Sequence, residues 1–119
     1  MKTSELFHTQ GLNFQDFKTP NAYGNNYEQP PDKSGVYLIV GFEGGPDGDQ
    51  TIAYVGRSQN LAKRYKNHEI LRDVQSKMYH ATFYFKECRD GCEAEKALVR
   101  RIRPAFNSHM YVRREANGR

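Results

Sequence analysis

Gly35-Val36-Tyr37-Leu38-Ile39-Val40-Gly41-Phe42 sets the architecture of the chain. It is β-branched and aromatic, and its apolar residues fall on both odd and even positions. A strand with one wet face alternates apolar and polar residues, whereas a strand covered on both faces does not. The stretch therefore reads as a central strand. Downstream, Gly44-Gly45-Pro46-Asp47-Gly48-Asp49 is a turn cluster, and Thr51 to Gly56 reads as a second strand. The simplest arrangement makes it the return arm of a hairpin with a long loop. Ser58 or Asn60 is placed to cap a helix running to about Ile70, with Leu61, Ala62 and Tyr65 on its inner face. His80 to Glu87 alternates as a third strand. Asp90-Gly91-Cys92-Glu93 has the spacing of a capping box and opens a helix that Pro104 ends. The order strand, strand, helix, strand, helix predicts a small α/β (α+β) domain, a three-stranded, mainly antiparallel sheet flanked by helices.

Upstream, residues 1–33 read as an N-terminal extension. Leu6, Phe7, Leu12, Phe14 and Phe17 offer apolar anchors, and the stretch from Pro20 to Pro31 is rich in Pro, Asn, Gly and Tyr. Such a segment suits an extended arm lying on the domain or a partly ordered lead-in. Residues 34–107 make the domain and 108–119 a basic tail.

Composition bounds what this fold can hold. A chain of 119 residues, 37% hydrophobic, has room for one modest core between two layers. No apolar run approaches the roughly 18 residues of a membrane span, and Met1-Lys2-Thr3-Ser4-Glu5 lacks the apolar stretch of a signal peptide. Cys88 and Cys92 are too few for a disulfide framework or a structural zinc site. A soluble, cytoplasmic protein with reduced thiols is the expectation, with no membrane partner. Charge is distributed unevenly. Residues 1–50 carry three basic and seven acidic side chains, net −4, and residues 51–119 carry fifteen and seven, net +8. A basic second half suits a polyanionic partner, most simply nucleic acid.

Helical periodicity then singles out candidate chemistry. On the last helix Ala94, Ala97, Leu98, Val99 and Ile102 define an apolar face. Glu95 falls roughly 60° from the centre of that face and Glu93 roughly 140° away, with Lys96, Arg100 and Arg103 on the outer side. A carboxylate at the margin of a buried face needs a partner. Glu95 is either a salt-bridge partner of an arginine on the first helix or a metal ligand or general base. On that first helix Arg64 and His68 stand one turn apart, about 40° from each other. They are either a solvated pair or a phosphate clamp with a proton-moving imidazole beside it. Tyr37 and Tyr54 lie within neighbouring strands, where a tyrosine is ordinarily a packing residue with its hydroxyl tied off.

Taken together, these residues form a pattern. Gly35-Val36-Tyr37 followed by Tyr54-Val55-Gly56 resembles the paired tripeptides of the GIY-YIG nuclease superfamily. Arg64 follows ten residues after Tyr54, with His68 one turn on, and Glu95 lies on the later helix. Pro104 to Asn107 closes that helix as Pro-x-x-Asn, twelve residues after Glu95, a spacing that selects Glu95 over Glu93. Arg57 stands three residues after Tyr54, where family members often place a Lys or another polar group. The resemblance spans about Ser34 to Asn107. Two departures are visible: Glu43 to Gln50 lengthens the gap between the tripeptides, at a hairpin tip where extra residues cost little. Val36 and Val55 stand where Ile is common.

The resemblance implies a metal-dependent DNA endonuclease that hydrolyses a phosphodiester bond. Glu95 would ligate a single Mg²⁺ or Mn²⁺ that keeps most of its water, and Arg64 would neutralise charge developing on the phosphate. Tyr37 would activate the attacking water. A phenol with a pKa of about 10 is a poor base near neutrality, so a positive charge, Arg57 or the metal, would have to favour the phenolate. Tyr54 and His68 would bond the water or the phosphate and relay the proton. Asn107 would support the helix end. Lys63, Arg57 and the outward row of Lys96, Arg100 and Arg103, extended by Arg113 and Arg114, would hold the DNA backbone without reading bases. Tight specificity in so small a domain calls for a second copy of the chain or a protein partner. The alternative is a DNA-binding or scaffold module that keeps the fold without turnover, and a third reading makes the strand tyrosines core residues only.

Overall fold

The computed structural model describes residues 3–20, 26–89 and 91–102. Strand β1 (Gly35–Phe42) is flanked by β2 (Gln50–Ser58) and β3 (Tyr79–Glu87), both antiparallel to it, in the order β2-β1-β3. Residues 35–41 are all buried, which accounts for the two-sided apolar pattern of β1. The hairpin tip is carried by Gly44 and Gly45, whose positive φ angles of 76° and 107° are cheap only for glycine.

Each face of the sheet has its own core. On one, Val36, Leu38 and Val40 join Ile52, Val55 and Tyr84. Helix α1 (Thr3–Thr9), a 3-10 helix (Phe14–Asp16) and helix α4 (Gly91–Ile102) cover this face through Leu6, Phe7, Phe14, Leu98 and Ile102. On the other, Tyr37 and Ile39 join Ala53, Tyr54, Phe83 and Phe85 under helices α2 (Leu61–Lys66) and α3 (Glu69–Lys77), which supply Leu61, Ile70, Leu71 and Val74.

Residues 3–20 do more than lie against the domain. Phe7 is fully buried, and its ring meets Phe14, Phe17 and Tyr84 edge-on with centroids 5.1, 5.3 and 5.2 Å away. Burial of one such ring is worth about 1.5–3 kcal/mol. Lys18 then exchanges both main-chain hydrogen bonds with Phe85, at 2.9 and 2.8 Å, and so covers the outer edge of β3. A seven-residue helix is too short to show its period in sequence, which is why α1 reads there only as scattered anchors. Asn21 to Asn25, within the Pro- and Asn-rich stretch, lie outside the described residues.

A second difference concerns the helix expected to run on to Ile70. Asn60 does cap α2, its Oδ1 accepting from Lys63 N at 3.0 Å. But α2 ends at Lys66, and a separate helix begins at Glu69. The consecutive polar residues Asn67 and His68 bond main-chain groups of their own, offering the backbone an alternative to continued helix. The restart turns Ile70, Leu71 and Val74 onto the sheet. On α4, Leu98 is buried and Ile102 half-buried as expected, while Ala97 is exposed. Asp90 and Pro104, assigned to the start and the end of α4, lie outside the described residues.

Candidate active site

Antiparallel pairing with a two-residue period builds the site from the tripeptides. Tyr37 stands opposite Gly56, and Ile39 opposite Tyr54. Gly35, Tyr37, Tyr54 and Gly56 therefore share the face under α2 and α3, while Val36 and Val55 turn into the opposite core. Both glycines are required by close approach. A Cβ at Gly56 would overlap the hydroxyl and ring of Tyr37, and one at Gly35 would overlap the Lys86 carbonyl and sit 2.7 Å from Leu61 Cδ1. The Tyr37 ring thus lies across the neighbouring strand above Gly56, and α2 sits tight against the start of β1. A bulge sharpens the placement. Val40 pairs with Ile52 and Ile39 with Tyr54, so Ala53 is the extra residue, and it shares the Tyr54 face.

Two helices converge on the Tyr37 hydroxyl. From α2, Arg64 Nε donates to Tyr37 Oη at 3.2 Å. From the start of α3, His68 Nε2 lies 2.8 Å from the same oxygen, while its Nδ1 accepts the main-chain N–H of Leu71 at 3.1 Å. The His68 ring meets Tyr37 edge-on at 5.0 Å, and Tyr54 lies alongside Tyr37 with centroids 6.0 Å apart. Beneath them Phe83 stacks on Tyr37 at 4.9 Å and Tyr65 packs against Phe83 at 5.0 Å. Tyr37 and His68 are each 1% exposed and Tyr54 9%. The break between α2 and α3 does not separate Arg64 from His68. It re-aims His68 so that both reach one oxygen.

Burial decides the charge states. It pushes the Tyr37 hydroxyl well above the usual phenol range, the adjacent Tyr54 adds to the rise, and Arg64 opposes it without cancelling it. Burial and the Arg64 charge together push His68 down to about 3. At neutral pH the cluster is a protonated phenol and a neutral imidazole beside one guanidinium.

The other expected residues are placed less closely. The positive charge bonded to Tyr37 is Arg64. Arg57 lies exposed on β2 opposite Val36, two residues from Val55 and so on the other face of the sheet. Lys63 is exposed on α2 beside Arg64. Arg100 is exposed on α4, which packs against β2 and β1 over the opposite face. Glu95 and Lys96 belong to α4, and their side chains lie outside the described residues, as do Arg103, Asn107, Arg113 and Arg114. Among the described residues no three His, Cys, Asp or Glu side chains gather to hold a metal ion. Near Tyr37 the described groups are phenols, a capped imidazole and a guanidinium, poor ligands for a hard cation. A Mg²⁺ or Mn²⁺ site here needs a carboxylate, and one is sufficient for an ion that stays largely hydrated; among the described residues, Glu69 at the start of α3 is exposed and its charge reaches Arg64.

Sequence reasoning missed Phe83, the ring on which Tyr37 rests, because its only signal is the strand alternation of β3. It missed the bulge at Ala53 entirely. Compared with known protein families, curated proteins and solved structures, the chain matches none.

Proposed function

We propose that the protein is a metal-dependent DNA endonuclease that hydrolyses a phosphodiester bond with a GIY-YIG type of site. One observation carries the reading. The tyrosine of the first tripeptide takes a hydrogen bond from Arg64 and shares another with His68 Nε2, from two helices, with the tyrosine of the second tripeptide beside it. A core tyrosine needs one partner for its hydroxyl. Two nitrogen partners, one cationic, on a buried phenol are the arrangement that would steady a developing phenolate.

In this reading Arg64 has a second use. Among the described residues its terminal Nη groups have no protein acceptor, and they are free to bind a phosphate oxygen as charge builds there. Tyr37 and Tyr54 supply hydroxyls that orient the attacking water by hydrogen bonding; Tyr37 takes a proton from it only as the phenolate, which Arg64 favours and burial opposes. Glu95 would hold Mg²⁺ or Mn²⁺, whose contribution is to polarise the phosphate and stabilise the leaving oxygen. Lys63, Arg57, Arg100 and Arg103 would bind DNA backbone, and Asn107 would support the end of α4. A second copy or a protein partner would supply target choice. No described helix is long and apolar enough to cross a membrane.

The second reading, a DNA-binding module without turnover, is favoured by the burial that keeps Tyr37 protonated and almost wholly out of water. Cleavage of supercoiled plasmid by wild type and Glu95→Gln, with Mg²⁺, Mn²⁺ or EDTA, separates the two. Metal-dependent nicking that the variant loses while staying folded and still binding DNA is the expected result. Salt-sensitive binding without nicking under any condition would establish the second reading.

A further inference from the structure

His68 does two things at once, and the first constrains the second. Its Nδ1 accepts the Leu71 main-chain N–H, capping α3. A main-chain N–H can only donate, so Nδ1 carries no proton while that bond stands, and the proton of the neutral ring is on Nε2. Nε2–H therefore donates to Tyr37 Oη at 2.8 Å, and Arg64 Nε–H donates to the same oxygen. A phenol oxygen accepts two hydrogen bonds and donates one. Both acceptor positions are filled from the helices, so the Tyr37 proton points to neither helix. Tyr54, whose ring lies alongside that of Tyr37 with centroids 6.0 Å apart, is the nearest described hydroxyl away from the helices.

We infer that His68 is a positioning residue and not a proton carrier: its own helix cap locks it as a neutral Nε2–H donor, and with Arg64 it fills both acceptor positions of the Tyr37 hydroxyl and turns the Tyr37 proton away from the helices. The part of this inference that concerns turnover rests on the nuclease reading; the tautomer does not. Charged and titratable groups bear on His68 from every side. Tyr37 comes from β1, Tyr54 from β2 and Arg64 from α2, while Phe83 adds an apolar wall from β3 and Glu69 of α3, next in the chain, is exposed. Protonation would place a cation that is 1% exposed next to Arg64 and would give Nδ1 a proton, breaking the cap. Burial and Arg64 hold the ring neutral down to about pH 3.

Nitrogen-15 NMR of the wild-type protein tests this without any cleavage assay. The His68 ring, assigned by its loss in His68→Asn, should show the Nε2–H tautomer and no titration between about pH 5 and 8. An Nδ1–H tautomer, or protonation within that range, overturns the inference. The kinetic arm uses the same variant. Asn can keep the cap through its side-chain oxygen but is too short to reach Tyr37 while doing so. His68→Asn should lower kcat by about tenfold to a hundredfold, the cost of a misplaced reacting group. KM for DNA and the shape of the pH–rate profile should be unchanged, and His68→Gln, which restores an N–H donor, should recover part of the loss. Loss of a limb of the profile in His68→Asn would make His68 a proton carrier after all. If wild type shows the tautomer but cuts no DNA, the nuclease reading falls, and with it the role of His68 in turnover, while the tautomer stands.

Discussion

The two faces of the sheet solve the same packing problem with different chemistry. The face under α1 and α4 is filled by Leu6, Phe7, Phe17, Val36, Leu38 and Val40, with Tyr84 beside them. The face under α2 and α3 is equally dry but includes Tyr37, Tyr54 and His68, with Arg64 and His68 both hydrogen-bonded to the Tyr37 hydroxyl. Apolar burial is non-directional, so the first face tolerates any side chains of suitable volume. Buried polar groups must each find a partner in the right direction, so the second face has one arrangement or none. Both faces bury apolar side chains, but on the first a residue acts through the volume it fills, whereas the second also fixes the geometry of a polar cluster.

If that division holds, removing volume from the face without the cluster should cost stability and leave the site its chemistry. Phe7→Ala removes a fully buried ring held by three others and should cost about 3–5 kcal/mol, read by urea or thermal unfolding. The fraction still folded should keep its cleavage rate. A Phe7→Ala protein that is fully folded yet inactive would tie the site to the face under α1 and α4 and overturn this division of roles.

Tyr37→Phe makes the complementary test. It keeps the ring on Phe83 and removes only the oxygen, so the cost arises from stranding Arg64 Nε–H and His68 Nε2–H without an acceptor. About 1–3 kcal/mol is the size of such a loss for the buried His68 donor, and less for Arg64, which is partly exposed and can turn to water, yet cleavage should fall to background. A harmless substitution, in stability and in cleavage alike, would reduce Tyr37 to the packing residue that strand tyrosines ordinarily are.

The same contrast explains what the sequence makes legible. The central strand shows itself because burial on both faces abolishes alternation, and the paired tripeptides because glycine stands where the Tyr37 ring and Leu61 come close. Those are local consequences of period and volume. The meeting of Arg64 and His68 on one oxygen is not local. Read as one helix, the two residues share a flank, and that much is right, but their common target depends on the break at Asn67 and on the strand register. The bulge at Ala53, which puts Ala53 and Tyr54 on the same face, leaves no mark on composition. Nor does α1, whose seven residues are too few to display a period. Polar residues near a helix middle can extend, kink or restart it, and only the packing of Ile70, Leu71 and Val74 decides among these.

The smallest expected effect is the most specific to the hydrogen-bonded face. His68 takes up a proton near pH 6.5 when unfolded but only near about 3 when folded. Between those values the unfolded chain binds more protons, so this contribution is complete above about pH 6.5 and is lost as the pH falls toward 3. The slope is at most about 1.4 kcal/mol per pH unit. Carboxylates titrate in the lower part of the same range, so the informative quantity is a difference between proteins, from urea unfolding at several pH values between 5 and 8. Phe7→Ala, on the other face, should shift the whole stability curve down in parallel with wild type. His68→Asn, which has no ring to protonate, should flatten the curve below pH 6.5 by up to that one-proton slope. Parallel curves for wild type and His68→Asn would mean that His68 titrates alike in both states, and the distinction between an apolar face and a hydrogen-bonded one would lose its energetic basis.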